Sequence, residues 1–327
     1  MKVYTNFPLK EILYYRIGGK AEFLLKIENK DDLLEALDFV GRNKIKKILP
    51  IGFGSNLLVN DKPFDGAVLW FCKAESFSKG ESSGIKLIDD NLISAFASES
   101  LDNLIKFSFD NNLIGLEWAG GLPSTIGGAV RGNVGAFGGE IKDIVNIVEI
   151  VRLLDKGYII EKLTKDQLEF GYRDSIIKCN KNLLVVSAEF RLQKASKEEV
   201  EKEKAVYKGH IEYRNKNHPM EYPSCGSVFK NITKKEEVAK IISIWGDIKD
   251  LVSKKWYHKV STGYVINRIG FSGFRIGGAK VSEKHANYIV NVQNAKFDDV
   301  YSIIEKIKDK FSQTFGFSPE LEVEVVQ

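Results

Sequence analysis

The sequence predicts an α+β protein in three parts, and three observations lead there. Strand-like segments crowd into residues 66–191 instead of alternating regularly with helices. A charged helical stretch at 196–216 separates this region from the C-terminal third of the chain. Beyond Pro219 a second mixture begins, of helix, short strand, long helix and alternating tail. With 327 residues the chain is long enough for two or three modest domains with real cores.

From the N-terminus, DDLLEALDFV (31–40) reads as an amphipathic helix, with Leu33, Leu34, Leu37 and Val40 on one face, Asn29 as N-cap and Gly41 as its C-terminal stop. Strands are expected at Lys47–Ile51 and Leu57–Asn60, joined by the loop GFGSN with Gly52 and Gly54 at the bend. VLWF, IKLI, LISAFA, IVNIVEIVRLL and LLVVSAEFRL are β-like by composition or alternation, and one helix, Leu101–Asn111, interrupts them. SKEEVEKEKAVYKGHIEYRNK reads as a solvated helix linking domains. Thr233 and Glu236 form a capping box for EEVAKIISIW. NYIVNV is a strand, DDVYSIIEKIKDKF a helix and LEVEVV a short strand.

Composition narrows the function classes. Apolar content of 43 % and charged content of 28 % are ordinary for a globular protein. A net charge of +4 with interleaved signs argues against nucleic acid as a partner. Cys72, Cys179 and Cys225 are widely spaced and form no CxxC pair, so neither a disulfide framework nor a zinc site is expected, and a reducing, cytoplasmic setting fits. The four histidines lack metal-ligand spacing. The N-terminus lacks a signal-peptide h-region, and no stretch approaches the roughly 18 apolar residues of a membrane span.

The chemistry-bearing segments are two glycine loops. Nine glycines fall within Gly115–Gly139, a density that brings bare backbone close to something. GFGSN offers a second turn, where consecutive N–H groups form a nest for phosphate oxygens and Ser55 and Asn56 add hydrogen bonds. The P-loop pattern is absent, and Gly52-Phe53-Gly54 is half of a dinucleotide fingerprint, with Leu at position 57. Two loops together suit a long ligand bearing a diphosphate, with an FAD-sized cofactor the natural candidate. Taken singly, Arg173 in FGYRDS reads as a strand-end salt bridge, Glu322 as a solvent-facing strand residue, and Ser227 in PSCGSVFKN as structural. His285 alone reads as a surface or capping residue.

Taken in order, RIGG (16–19), GFGSNLLV, GLEWAGGLPSTIGGAVRGNVGAFGGEI, FGYRDSI, CGSVFKN, GGAKVSEKHANYIVN and PELEV resemble the UDP-N-acetylenolpyruvoylglucosamine reductase (MurB) family from about residue 15 to the end. One charged helix runs from Arg191 directly to PSCGS, so the chain resembles the shorter type that lacks a tyrosine-bearing loop.

The resemblance implies a vanillyl-alcohol-oxidase (PCMH) type FAD-binding fold in two subdomains, 1–66 and 67–205, with its core at about 16–192. It also implies a third α+β substrate-binding domain, 206–327. Non-covalent FAD and NADPH as co-substrate are implied, with a UDP-sugar as substrate and no membrane partner; a monomer is expected. Residues matching cofactor positions are Arg16, Gly52, Gly54, Ser55, Asn56, Leu57, Gly121, Leu122, Ser124, Thr125, Gly127, Gly128, Asn133 and Gly135. Ser227 matches the proton donor; Arg173 and Glu322 match the pair attending the substrate carboxylate. Tyr172, Lys230, Asn231 and His285 match substrate-binding positions. Ser124, Arg131-Gly132, Val134 and Trp118 depart from the commoner family residues. A flavin oxidase of the same superfamily is the alternative; it leaves FGYRDS and CGSVFKN unexplained, and no histidine precedes His210 to carry a histidyl link to the flavin. A non-enzymatic nucleotide-binding protein is the remaining one.

Overall fold

A computed structural model describes residues 1–72 and 84–327. The chain forms two compact units, neither contiguous in sequence. The first comprises Met1–Phe7, Ala21–Phe53 and Phe64–Lys216; the second comprises Pro8–Lys20, Gly54–Pro63 and Asn217–Gln327. Burial explains why the cut falls there. Tyr15, Ile17 and Leu58 join the same apolar cluster as Phe229, Val265 and Phe311, so two early segments belong with the C-terminal half.

Two larger sheets carry the first unit among the described residues. Strands Lys2–Pro8, Lys20–Ile27, Phe64–Phe71 and Ile48–Ile51 lie side by side in that order. Phe64–Phe71 runs parallel to both its neighbours. The helix Lys30–Arg42 connects two of these strands, capped by the Asn29 side chain accepting from the Asp32 amide. Gly41 lies inside this helix, not at its stop; Asn43 ends it by donating to the Phe39 carbonyl. The second sheet is antiparallel, in the order Tyr158–Thr164, Val145–Leu153, Leu183–Arg191, Leu92–Phe96, Ile85–Asp89. Every strand expected between 66 and 191 is present. Helix Leu101–Asp110 starts where expected, with Ser100 accepting from Asn103.

The charged helix spans Lys197–Asn217, but it is not merely solvated. Arg214 is 8 % exposed and donates to the Gly120 carbonyl at 2.9 Å. His210 Nδ1 meets the Glu117 carbonyl at 3.0 Å, and Tyr207 donates to Asp102. Charged composition concealed this face, because it is anchored by hydrogen bonds and not by an apolar stripe.

The second unit holds a three-stranded antiparallel sheet, Arg275–Ile276, Ala279–Val281 and Ile289–Asn291. The helix Phe297–Phe315 packs on it through Ile303, Ile304, Ile307 and Phe311, and Gly316 stops that helix in the left-handed conformation. The tail strand Glu324–Val326 pairs in parallel with Leu57–Val59. Helix Lys235–Ile244 is present, but Thr233 and Glu236 form no capping box: its N-cap is Lys234, without a side-chain bond.

Candidate active site

The GFGSN turn is divided between the units, so its two halves have different surroundings. On the first unit, Gly52 faces Thr125, and a Cβ at Gly52 would collide with the Thr125 hydroxyl. Both border a cleft of about 420 Å³, counting its open mouth, with Gly127, Gly128, Ala97 and Arg131 also on its wall. Thr125 caps the short helix Ile126–Arg131 by accepting from the Gly128 amide at 3.3 Å. The neighbouring Ser124 hydroxyl turns back to the Thr125 carbonyl. Glycine and threonine line the wall where backbone must come close to a ligand, and Arg131 adds a cation beside them. A diphosphate-bearing cofactor fits this donor set.

Several other positions of the glycine-rich segment meet close neighbours. A Cβ at Gly120 would stand 2.6 Å from the Tyr207 carbonyl oxygen, and one at Gly121 would press on Arg214. Gly139 has the Trp118 indole in the space its Cβ would take. Leu122 packs against the main core. Asn133 is fully buried with both ends of its amide engaged: it donates to Glu140 Oε2 and the Gly171 carbonyl, and accepts from the Lys142 amide.

Arg173 sits in a tight turn bridged by Gly171 and Asp174. Its φ of 57° is left-handed, which a long side chain adopts at a cost. The guanidinium donates to the Gly135 carbonyl at 2.6 Å and lies 5.3 Å from the Tyr172 ring centre. Burial alone pushes the Glu140 carboxyl up, but Lys142, Asn133 and the Arg173 charge together hold it below its ordinary value. A fixed carboxylate and carbonyl therefore orient the cation.

On the second unit, Gly54 takes φ 63° with Leu13 close against it. The Ser55 carbonyl oxygen lies 3.9 Å from where a Cβ on Gly226 would stand. Asn56 donates through Nδ2 to the Glu322 carbonyl at 3.0 Å, and its own carbonyl accepts from Glu324. Leu57 pairs with Glu324. Arg16 is exposed and left-handed at φ 55°. Three residues expected to touch a cofactor thus hold or border the segments bearing Glu322 and Ser227.

Those two segments pair directly. The Glu322 amide donates to the Val228 carbonyl at 2.8 Å, Lys230 donates to the Glu320 carbonyl, and Phe229 bridges Leu321. Ser227 and Glu322, far apart in sequence, therefore lie on adjoining segments. Lys230 Nζ stands 3.6 Å from Glu320. The Asn231 side chain accepts from the Thr262 amide. Cys225 is buried at 2 %, and burial, with the Glu322 charge beside it, pushes its thiol up to about 12, which removes it as a nucleophile. His285 packs near His218 and Tyr288, with ring centres at 5.2 and 5.0 Å. Burial holds its imidazole below the ordinary value, and its Nδ1 accepts from the Asn287 amide.

Arg131 stands outside the residues matched to cofactor positions. It lines the same cleft as Gly52, Thr125, Gly127 and Gly128.

The fold and cleft define the class: residues 21–161 match the family model described as FAD binding domain, so the first unit carries an FAD-binding fold. Residues 218–326 match a second model, UDP-N-acetylenolpyruvoylglucosamine reductase, C-terminal domain. A UDP-N-acetylenolpyruvoylglucosamine reductase from Caldicellulosiruptor saccharolyticus is 34 % identical over 320 residues, 98 % of this chain and 90 % of that protein. One from Thermotoga maritima is 33 % identical over 313 residues, covering 95 % and 94 % of the two chains. The chain belongs to the UDP-N-acetylenolpyruvoylglucosamine reductase family. The crystal structure of UDP-N-acetylenolpyruvylglucosamine reductase (MurB) from Thermus caldophilus has the same fold, with a TM-score of 0.70 at 24 % identity over 100 % of this chain and 98 % of that one.

Proposed function

We propose that this protein is an NADPH-dependent UDP-N-acetylmuramate dehydrogenase. It reduces the enolpyruvyl ether of UDP-N-acetylglucosamine-enolpyruvate, a step of peptidoglycan synthesis and so of cell-wall biogenesis, cell shape and division. It acts as a cytoplasmic monomer. Segments 1–66 and 67–205 serve the cofactor and 206–327 serves the substrate. FAD, when bound, carries hydride from NADPH to the vinyl carbon distal to the ether oxygen.

The chain's own residues do the rest. Hydride arrival places negative charge on the neighbouring carbon and its carboxylate. Arg173 pairs with that carboxylate, and a guanidinium fork strengthens its bonds as charge accumulates. Its confinement by Gly135 prepays the orientation. Glu322 attends the same carboxylate from the segment beside Ser227. Ser227 gives its hydroxyl proton to the enolate carbon. Serine is a feeble acid, but an enolate carbon is a strong base, so proximity suffices. Lys230 polarises the hydroxyl; Tyr172, Asn231 and His285 contact the substrate. Gly52, Thr125, Gly127, Gly128 and Arg131, which line the cleft, would hold the diphosphate of FAD.

The observation that carries this reading is the hydrogen bond from the Glu322 amide to the Val228 carbonyl, which sets the carboxyl-bearing segment beside the segment of Ser227. The test is Ser227→Ala followed by stopped flow. Flavin bleaching by NADPH proceeds at the wild-type rate, and reoxidation by the enolpyruvyl substrate slows by orders of magnitude. Two unharmed half-reactions would overturn the assignment.

A further inference from the structure

Asn287 holds the segment that follows Ser227 from the side opposite Glu322. The residue is 3 % exposed, and its side chain is spent on one neighbour. Its Oδ1 accepts from the Phe229 amide at 3.0 Å, and its Nδ2 donates to the Phe229 carbonyl at 2.8 Å. Its own carbonyl accepts from the Val228 amide at 2.8 Å. One residue thus makes three hydrogen bonds to the two positions that follow Ser227.

The local chain explains why a side chain does this work. The strand Ile289–Asn291 is committed to Ala279–Val281 on one edge, and on the other it reaches the Ser227 segment only at its far end. There Ser224 bridges Val290 and the Asn291 amide donates to the Pro223 carbonyl. Before that strand the backbone turns: Tyr288 donates to the His285 carbonyl, and the Asn287 amide goes to His285 Nδ1. The main chain at 287 has one carbonyl left to offer. The carboxamide, one acceptor and two donors on a planar group, supplies the remaining pairing in the geometry of a peptide unit. The Val228 carbonyl is simultaneously taken by the Glu322 amide. The segment carrying Ser227 is therefore held on both sides, by Asn287 on one and Glu322 on the other.

We propose that Asn287 is a positioning residue for proton delivery, fixing the Ser227 hydroxyl and, through Val228, its offset from Glu322. The inference rests on Ser227 being the proton donor. A displacement of the order of 1 Å in a reacting group lowers a rate about 10²-fold, and loss of three clamping bonds next to Ser227 permits a shift of that size.

The test is a double-mutant cycle in the full FAD-bound enzyme. Asn287→Ala leaves reduction by NADPH at the wild-type rate and slows reoxidation by enolpyruvyl substrate about 10²-fold, in kcat and not in KM. Added to Ser227→Ala, it costs nothing further, because the group it positions is already gone. Amide exchange at Phe229 accelerates in Asn287→Ala. If Asn287→Ala fails to retain FAD, Asn287→Ser, which keeps a hydroxyl donor and acceptor, is measured in its place and shows the same split with a smaller loss. Additive losses, or equal slowing of both half-reactions, overturn the positioning role while leaving Ser227 as donor. If Ser227→Ala is itself unimpaired, the parent reading fails instead, whatever Asn287 does.

Discussion

Arg173 donates from Nη2 to the carbonyl oxygen of Gly135 at 2.6 Å while its own backbone stands at φ 57°. A second bond reinforces the turn: Lys178 Nζ donates to the Arg173 carbonyl at 2.8 Å. An extended, flexible cation is thereby held at one end of its reach, and the strain of the left-handed backbone is offset by the bonds around it. The hairpin carrying Gly135 is the other half of this arrangement. Gly135 pairs with Glu140, and a Cβ on it would stand 2.6 Å from Glu140 Cγ, 2.7 Å from the Gly139 oxygen and 3.2 Å from Arg173 Nη1.

Gly135→Ala therefore moves both Glu140 and the Arg173 fork. Overpacking of this kind costs about 1–3 kcal/mol. Thermal unfolding registers that loss, and kcat for the enolpyruvyl substrate falls about tenfold or more as the guanidinium leaves its place. Unchanged kcat in a variant that melts several degrees lower would show that Arg173 does not need Gly135.

The helix Lys197–Asn217 yields a prediction that its charge pattern hides. Arg214→Ala removes the bond to the Gly120 carbonyl, leaves that oxygen in a buried place, and strips the guanidinium from the Phe137 ring 5.2 Å away. Hydrogen bonds from charged donors are worth about 1.5–3 kcal/mol, so a fall in unfolding free energy of that size is expected in denaturant titration. Loss below about 0.5 kcal/mol, the level of an ordinary surface substitution, would return the helix to the solvated linker its composition implies.

The sequence made strands and most helices legible because burial writes itself as alternation and periodicity; the five β-like runs between 66 and 191 are all strands. Contacts made by polar side chains across long separations leave no such mark. Thr233 and Glu236 have the spacing of a capping box, yet Ile232 is drawn into a bridge with Val260, and the helix begins beyond Thr233, at Lys235. The glycine-rich segment looked uniform, but Gly120 and Gly139 answer to Tyr207 and Trp118, while Gly127 and Gly128 line the cleft. Ser227, Arg173 and Glu322 each looked ordinary alone; the order of motifs singled them out, and only the pairing at Val228 shows how two of them become neighbours.

The three cysteines separate by burial. Cys179 is exposed and Cys225 is buried, with its thiol pushed up to about 12. Iodoacetamide at pH 8, followed by peptide mass spectrometry, labels Cys179 at least tenfold faster than Cys225, since the reactive thiolate of Cys225 is both scarce and inaccessible. Rapid labelling of Cys225 in the folded protein would contradict its enclosure beside Glu322.

His285 provides a pH signature with a definite sign. Burial holds its imidazole below the ordinary 6.5, and the Asn287 amide donates to its Nδ1, which a protonated ring could not accept. His218 and Tyr288 face it, and Tyr288 Oη lies 3.1 Å from His218 Nδ1. The unfolded chain therefore binds a proton at His285 at a higher pH than the folded chain does. Its stabilising contribution is complete above about pH 6.5 and declines as pH falls from there through the lower folded value. His285→Gln keeps an acceptor and removes the titration. The melting temperature of wild type falls more steeply between pH 7.5 and 5.5 than that of His285→Gln, the two curves converging toward acid. Parallel curves across that window would mean that His285 takes up its proton at the same pH in the folded and unfolded chain, and the depression by burial would be absent.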